Sequence, residues 1–469
     1  MQKNRVLFLI ICISIVYACE GQNISGQWKG KLETQGPTLR LSFNISQSDS
    51  GNYEGIIRSI DQKASDTLTS VSFENDTLTI VHKKWNIHYI AHLEGDTLFK
   101  GVFMQNGGIY PLNLSQTVFA KVQRPQLPQK PYPYYEEQVT IENTKDNLQL
   151  KGTLTLPAKK GKFPAVILLT GSGMQDRDET AMGHKPFLVL ADYLTRNGVA
   201  VLRCDDRGMP GGLSAHYYLN ADYENLLNDA QSAVDFLRKR KQIDKKRIGL
   251  FGHSQGGLIA TMLAAKNPTI AFVILLAAPG LRGDSLLILQ QKMNFQSQGM
   301  SDSEWKNLQN IQQQAFTMVK NATDKQQLKN DLKNFYLQHF EQLPSIFTEE
   351  MEKDDFVKLA VNQLLSMDIY NLLRSQPDIY LQKIQCPVLA LNGQKDKQVA
   401  AKENLEAIKN AMQKADNQNV TIKMLPNLNH FFQDCQSGDV LEYALIEQTM
   451  SGVVLQELFN WLTKNVIQK

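Results

Sequence analysis

Two different rhythms of hydrophobic and polar residues divide the chain. From Asn23 to about Lys121, short segments such as Leu39 to Ile45 alternate apolar and polar residues, and Asp, Asn and Gly turns separate them. Because successive side chains of a strand point to opposite faces, this pattern predicts strands with one buried face. Residues 23–121 are therefore expected to form a small antiparallel all-β domain of seven or eight strands, closed into a barrel or sandwich.

A proline-rich segment separates this pattern from a second one. Pro125, Pro128, Pro131 and Pro133 lie in residues 122–138, which predicts an extended, semi-rigid linker. After it, apolar runs alternate with amphipathic stretches typical of helices. The strand candidates are residues 163–170, 199–204, 247–251, 271–277, 388–391 and 420–425. This alternation predicts an α/β domain over residues 139–469, with a mostly parallel sheet covered by helices on both faces.

One interval of the second domain lacks a strand candidate. Residues 281–383 are polar, rich in Gln and Lys, and helical in pattern, for example at residues 305–320 and 324–342. An insertion between two strands extends over the carboxyl edge of a sheet, where such folds bind ligands. We therefore expect a helical cap there. The alternative is a helical decoration that does not contact substrate.

Ser254 stands at the centre of a Gly-x-Ser-x-Gly motif that runs from Gly252 to Gly256. A strand candidate precedes the motif and a helical stretch follows it, at residues 257–266. A serine on a tight strand-to-helix turn projects its Oγ out of the sheet, and glycine two positions to either side lets the backbone bend that sharply. The motif alone is compatible with an ordinary turn, but these flanking elements indicate a nucleophile.

A serine nucleophile needs a base and a third group that orients the base. Asp396 and His430 each follow a strand candidate, and the chain order Ser, Asp, His fits a nucleophile on a strand-to-helix turn. We predict that Ser254 attacks a carbonyl, that His430 accepts its proton and that Asp396 orients His430. Glu403 is the weaker rival of Asp396.

The second domain resembles the α/β-hydrolase superfamily, and within it the serine aminopeptidase-like esterases and peptidases. The resemblance covers roughly residue 138 to the C terminus. It rests on the motif at Ser254, the Gly-x-x-Asp turn that ends at Asp396, the pair Asn429-His430, and residues 170–178 and 205–208. It implies an α/β-hydrolase fold and hydrolysis through an acyl-enzyme, with no cofactor and no metal. Residues 24–30 resemble the first strand of lipocalin-like β domains that precede hydrolase domains in some bacterial proteins.

The resemblance also implies an oxyanion hole, whose N–H donors stabilise the charge that develops on the carbonyl oxygen. In the family, the loop after the third strand supplies one backbone N–H and the residue after the nucleophile supplies the other. By position these are Ser172 and Gln255, with Gly173 as the near alternative to Ser172. The chain has Thr170-Gly171 where many relatives have His-Gly, which leaves the donor in this loop open.

Other polar residues near these motifs are predicted to have structural roles. The side chains of His253 and Gln255 are interpreted as structural or peripheral, and residues 205–208 as an ion-paired scaffold. Residues 176–178 are expected to brace the oxyanion loop, with substrate contact as the alternative. Cys435 follows His430 closely, but no second base accompanies it.

These motifs favour hydrolysis of a carboxylic ester of modest size. A serine aminopeptidase acting on short peptides is the alternative; it would need an acid that recognises a free amine, such as Glu349, Glu350 or Glu352. Thioester hydrolysis is chemically compatible as well. A different class of function is a surface binding module whose β domain binds glycan or lipid.

The first residues predict export. Lys3 and Arg5 precede an apolar stretch at residues 6–17, which is shorter than the roughly 20 residues that span a bilayer, so residues 1–18 are expected to be a signal peptide. The protein would then lie in the cell envelope or periplasm. Residues 16–19 resemble a bacterial lipoprotein cleavage box, in which lipidated Cys19 would attach the protein to a membrane; the alternative is a simple cut after Ala18.

Charge and cysteine content exclude several other classes. The formal charge of +3 falls to +1 without Lys3 and Arg5, and basic and acidic residues are interspersed, so nothing indicates nucleic-acid binding. Cys12 and Cys19 belong to the predicted signal and its cleavage box. The remaining cysteines, Cys204, Cys386 and Cys435, are widely spaced. This spacing predicts neither a disulfide framework nor a metal site.

Overall fold

The computed structural model describes residues 23–33, 39–48, 51–62, 64–95, 97–105, 108–116, 123–297, 300–344, 347 and 352–468. The predicted signal peptide and Cys19 lie outside these residues. The chain forms two compact units, one of residues 1–34 and 39–119 and one of residues 35–38 and 120–469. None of the described helices is both long enough and apolar enough to cross a membrane.

The first unit is an antiparallel barrel. Its described residues form the strands β1 (Gly26–Leu32), β2 (Leu39–Gln47), β3 (Tyr53–Ser59), β4 (Ala64–Thr67), β5 (Ser70–Glu74), β6 (Thr77–His82), β7 (Ile87–Glu94), β8 (Leu98–Gln105) and β9 (Gly108–Ser115). The strands pair in the order β2-β1-β9-β8-β7-β6-β5-β3, and β3 pairs back with β2. These pairings close a ring, beside which β4 pairs with β3. The predicted small antiparallel domain is confirmed, and it is a barrel.

Large side chains fill the interior of this barrel. Trp28, Phe43, Tyr89 and Phe99 are each at most 1% exposed, and the ring centroids of Trp28 and Phe99 lie 4.5 Å apart. The Tyr89 hydroxyl donates a hydrogen bond of 3.0 Å to the carbonyl of Leu112, which satisfies its polar end. The lipocalin-like resemblance of this barrel stays a prediction.

The second unit is built on a mostly parallel sheet, as predicted. Its strands are β10 (Tyr135–Asn143), β11 (Leu148–Leu156), β12 (Phe163–Leu169), β13 (Ala200–Cys204), β14 (Ile243–His253), β15 (Val273–Leu276), β16 (Val388–Gly393) and β17 (Val420–Leu425). They lie in the order β10-β11-β13-β12-β14-β15-β16-β17. The β10–β11 and β11–β13 pairs are antiparallel, and the pairs from β13 to β17 are parallel. The carboxyl ends of the central strands therefore meet at one edge.

Thirteen α-helices belong to the described part of the second unit, and some of them cover both faces of its sheet. They are α1 (Pro186–Arg196), α2 (His216–Leu219), α3 (Tyr223–Lys239), α4 (Gln255–Lys266), α5 (Gly283–Ser297), α6 (Asp302–Asn321), α7 (Lys325–His339), α8 (Lys353–Leu365), α9 (Met367–Arg374), α10 (Pro377–Leu381), α11 (Ala401–Lys414), α12 (Val440–Tyr443) and α13 (Gly452–Leu462). Helices α3, α4 and α11 pack on one face with Ala165 and Ile167 of β12. Helices α1 and α13 pack on the other with Val166 and Leu168, because side chains alternate along a strand.

Helices α5 to α10 lie between β15 and β16, where the cap was predicted. Trp305, Phe316, Leu332 and Tyr336 belong to a hydrophobic core that α5 to α9 form among themselves, whereas Leu381 of α10 packs in the core of the sheet. The Tyr218 hydroxyl, which follows the carboxyl end of β13, donates a hydrogen bond of 2.7 Å to Asp368 in the first turn of α9. The helical insertion therefore contacts the carboxyl side of the sheet.

The predicted linker is shorter and more tightly held than expected. Residues 135–138 belong to β10, where they pair with Thr153–Leu156. Arg124 donates to the carbonyls of Ala444 and Ile446 at 2.7 and 3.0 Å, so this segment is bound to the second unit. Proline content alone does not reveal such contacts, because Arg124 finds its partners more than 300 residues away in sequence.

Arg207 joins three separate segments of the second unit. Its guanidinium lies 2.5 Å from the Asp146 carboxylate in the turn after β10 and 2.7 Å from Asp229 on α3. The Arg207 side chain is 4% exposed, and the two carboxylates are 15% and 13% exposed. This arrangement is the ion-paired scaffold that the sequence indicated for residues 205–208.

We expect Arg207→Met to lower the free energy of unfolding by about 3–5 kcal/mol, because it leaves two mostly buried carboxylates without their cation. The matched control is Arg240→Met. Arg240 pairs with Glu137, but both side chains are about one quarter exposed, so this loss should be at most about 1 kcal/mol. Urea denaturation of the full chain measures both, and equal losses in the two variants would contradict the burial argument.

Candidate active site

Ser254 lies between β14, which ends at His253, and α4, which begins at Gln255. Its backbone has φ 51° and ψ −122°, a region that residues other than glycine rarely adopt. The N–H of Ser254 donates to the carbonyl of Leu276, and its own carbonyl accepts from Gly257, each at 2.9 Å. These bonds hold the serine in a sharp turn at the carboxyl edge of the sheet.

The two glycines of the motif are required by close packing. A Cβ at Gly256 would lie 2.1 Å from the carbonyl oxygen of Leu169, and a Cβ at Gly252 would lie 2.2 Å from that of Gly256. Neither distance is compatible with a side chain, because these neighbours are rigid backbone atoms. The sequence Gly-x-Ser-x-Gly therefore reflects how tightly α4 packs against the end of β12.

Asp396 and His430 are in direct contact. Nδ1 of His430 lies 2.7 Å from Oδ2 of Asp396, and both side chains are almost fully buried. The other oxygen, Oδ1, accepts the N–H groups of Gln398 and Val399, each at 2.8 Å. Because a carboxylate only accepts, His430 carries its proton on Nδ1, which leaves Nε2 able to take a proton. Glu403, the rival of Asp396, is exposed on α11.

The loop that carries His430 is held by its neighbour Asn429. The side-chain oxygen of Asn429 accepts the N–H groups of Phe431 and Gln433, each at 3.0 Å. The carbonyl of Leu428 accepts the N–H of Lys395 at 2.9 Å, which ties this loop to the turn that carries Asp396. The Asp396–His430 contact is thus supported by the backbone on both sides.

Ser254 is linked to this pair through the residue before it. Nε2 of His253 lies 3.0 Å from the carbonyl oxygen of His430, and the ring centroids of the two histidines are 4.7 Å apart. The structure therefore brings the three residues predicted as a triad to the carboxyl edge of one sheet, after β14, β16 and β17. Asp396 and His430 bond directly, and the main chain of His430 bonds to the neighbour of Ser254.

The loop after β12 narrows the choice of oxyanion donors. The Gly171 N–H donates to Oε1 of Glu179 at 2.7 Å, so the next N–H groups along the loop, those of Ser172 and Gly173, remain the candidates. Gln255 is the first residue of α4, where helix N–H groups have no partner within the helix. The positive end of that helix favours a developing negative charge. The predicted assignment to Ser172 and Gln255 stays a prediction.

Charged residues of this loop and of the turn after β13 hold the loop in place. Oδ1 and Oδ2 of Asp206 accept from the Thr170 hydroxyl at 2.7 Å and from the Gln175 N–H at 2.9 Å. Burial raises the pKa of Asp206 to about 8. Arg177 donates to both carboxylate oxygens of Asp205, at 2.9 and 2.6 Å. These contacts favour the bracing interpretation over substrate contact.

The other sequence-based candidates are exposed, lack suitable chemistry or lie outside the described residues. Glu349 and Glu350 lie outside the described residues, and Glu352 is exposed where α8 begins. Burial raises the pKa of the Cys435 thiol to about 11, which disfavours a thiolate nucleophile. Within the described part of the chain, no three His, Cys, Asp or Glu side chains form a group that could hold a metal ion.

One residue at the site was not assigned to it from the sequence. Glu179 contacts Gly171 and, through Oε1 at 2.9 Å, Nδ1 of His253. No motif indicated Glu179, whereas the His253 side chain was interpreted as structural or peripheral. The available signal was the position of Glu179 at the end of the acidic stretch that follows the strand candidate at residues 163–170. Its partner could not be predicted, because 74 residues separate the two in sequence.

Comparisons with known proteins match this part of the chain. A family model described as serine aminopeptidase, S33, matches residues 185–433. Esterase EstD of Thermotoga maritima is 25% identical over 334 residues, which are 71% of this chain and 69% of EstD. The family model spans the positions of Ser254, Asp396 and His430.

Two solved structures are also similar. The Pyrococcus furiosus esterase PF2001 is 17% identical, with 75% of this chain and 100% of that chain covered and a TM-score of 0.41. Est1E of Butyrivibrio proteoclasticus, solved with ferulic acid, is 17% identical, with 71% and 100% covered and a TM-score of 0.40.

We expect Gly256→Ala to destabilise the second unit by at least about 1–3 kcal/mol, the usual cost of overpacking, because the new Cβ would press against the carbonyl of Leu169. The control is Gly452→Ala, since no atom lies within 4 Å of a Cβ at that position. Urea denaturation compares the two variants with the wild type. A Gly256→Ala protein as stable as Gly452→Ala would show that the elbow relaxes easily.

Proposed function

Because the chain belongs to the serine aminopeptidase, S33, family of α/β-hydrolases, we propose that it hydrolyses carboxylic esters with Ser254, His430 and Asp396 as its catalytic triad. The observation that carries this proposal is the 2.7 Å contact between His430 and Asp396 beside a serine on a strained strand-to-helix turn. A buried carboxylate that fixes one histidine nitrogen leaves the other free to act as a base.

In the proposed reaction, Oγ of Ser254 attacks the ester carbonyl while Nε2 of His430 takes its proton. The tetrahedral oxyanion is stabilised by the backbone N–H groups of Gln255 and of Ser172 or Gly173. His430 then gives the proton to the leaving alcohol, and the acyl group stays on Ser254. Water, deprotonated by His430, attacks the acyl-enzyme, and collapse of the second oxyanion releases the acid and restores the serine.

The preference for esters over peptides rests on fewer observations than the proposed triad does. EstD, whose name states an esterase, matches 71% of the chain, and the family description names an aminopeptidase. An aminopeptidase needs an acid that pairs with the free amine of its substrate. Of the acids suggested from the sequence, Glu352 lies exposed at the start of α8, which does not favour that role.

We expect Ser254→Ala to reduce ester hydrolysis by about 10⁶-fold, because the variant lacks the attacking oxygen. Initial rates with p-nitrophenyl esters from acetate to octanoate measure the loss and rank the acyl length. Ser232→Ala is the matched control: its hydroxyl bonds only the Asn228 carbonyl on α3, so its rates should equal those of the wild type.

Aminoacyl p-nitroanilides, assayed alongside, separate the alternatives. Turnover of anilides alone, lost in Ser254→Ala, would replace the ester proposal with an aminopeptidase. Ester turnover that survives in Ser254→Ala would refute the triad. No turnover of either substrate class would favour a binding role for the first unit.

We further propose that the protein is exported and that Cys19 carries a lipid. The support is the sequence alone: a basic start, a short apolar stretch and a small residue before Cys19. In a bacterial host, radiolabelled palmitate should be incorporated into the wild type and not into Cys19→Ser. A wild type that takes up no palmitate but still loses residues 1–18 would indicate a simple secretory signal.

A further inference from the structure

A second pair of acidic and histidine side chains lies beside the proposed triad. Glu179 and His253 are 3% and 5% exposed, and Nδ1 of His253 lies 2.9 Å from Oε1 of Glu179. Glu179 has φ 53°, an uncommon value for a residue with a side chain. Its N–H donates to the carbonyl of Asp176 at 2.9 Å, and this turn directs the carboxyl group inward.

Both nitrogens of the His253 ring face oxygen atoms. Nδ1 faces the Glu179 carboxylate and Nε2 faces the carbonyl of His430, and neither oxygen can donate a proton. A ring that donates to both is an imidazolium. Burial by itself lowers the pKa of His253, but the charge and hydrogen bond of Glu179 outweigh it, and the net shift is upward.

The same carboxylate oxygen reaches a third segment of the site. Oε1 of Glu179 accepts the Gly171 N–H at 2.7 Å, and Gly171 directly precedes the candidate oxyanion donors Ser172 and Gly173. The pair therefore connects the oxyanion loop, the residue before Ser254 and the main chain of His430. These three segments follow β12, β14 and β17, so no local sequence contact can hold them together.

We propose that Glu179 and His253 form a positioning pair, which holds the oxyanion loop and the His430 backbone in register with Ser254. This proposal rests on the proposed ester hydrolysis. Neither residue takes part in proton transfer with substrate. Because both act on geometry that matters in the transition state, their loss should lower kcat more than it raises KM.

The test uses three variants of the full chain: Glu179→Gln, His253→Gln and the double variant. Glutamine at 179 keeps the size of the side chain and removes its charge. Glutamine at 253 cannot donate to Glu179 and to the His430 carbonyl from two ring positions. Reaction to completion with a serine-reactive fluorophosphonate counts the competent sites, so that kcat refers to folded enzyme.

We expect each single variant to lower kcat for a p-nitrophenyl ester by about 10²-fold, the size of effect that small misplacements of a reacting group produce. KM should stay within about threefold of the wild type. The double variant should lose little more than either single variant, because both changes break one unit. Losses that instead multiply would show independent roles and overturn the pair.

Glu137→Gln is the matched control, since Glu137 also forms an ion pair, with Arg240, but one that is partly exposed; its kcat should be unchanged. If the wild type is active and Glu179→Gln retains its kcat within about threefold, the positioning pair is wrong while the proposed function stands. If the wild type hydrolyses no ester, the proposed function fails and the positioning pair falls with it.

Discussion

The first turn of α4 packs against the carboxyl end of β12 so closely that residue 256 can have no side chain. A Cβ there would lie 2.1 Å from the carbonyl of Leu169. Only Ser254 lies between β14 and α4. This contact forces the chain to turn there, and Ser254 has φ 51°. It also brings the loop at Gly171 beside the serine, so the candidate nucleophile and the candidate oxyanion donors share one rigid frame.

Buried and half-buried polar side chains hold the loops around this frame. Asp206 binds Thr170 and Gln175, Arg177 binds Asp205, and Glu179 binds Gly171. Burying a polar or charged group is costly unless a partner compensates it, so each loop is stable only in the conformation that provides those partners. Such preorganisation is what stabilisation of a developing oxyanion requires.

The cap is organised differently from this frame. Helices α5 to α9 bury apolar residues against one another, in a core of their own, and Tyr218 joins them to the sheet side through Asp368. Residues that lie only in this separate core can therefore change with little effect on the sheet. Substrate choice in such folds depends on pocket shape rather than on the triad.

Local sequence determined much of the fold and the strand ends at which the residues of the candidate site lie. Alternation of apolar residues marks the barrel strands, segments rich in apolar residues mark β12 to β17, and glycines around Ser254 mark the elbow, because each of these signals depends on backbone geometry within a few residues. The order of Ser254, Asp396 and His430 followed from the strand ends that they occupy.

Only the tertiary structure decided which distant groups meet. It showed β10 beginning inside the proline-rich segment, Arg124 bound to carbonyls near residue 445, and Glu179 paired with His253. Those pairings join residues 74 to 322 positions apart, and they depend on which strand ends and loops become neighbours. Local pattern carries no record of that proximity, because it arises only when the strands have assembled into a sheet.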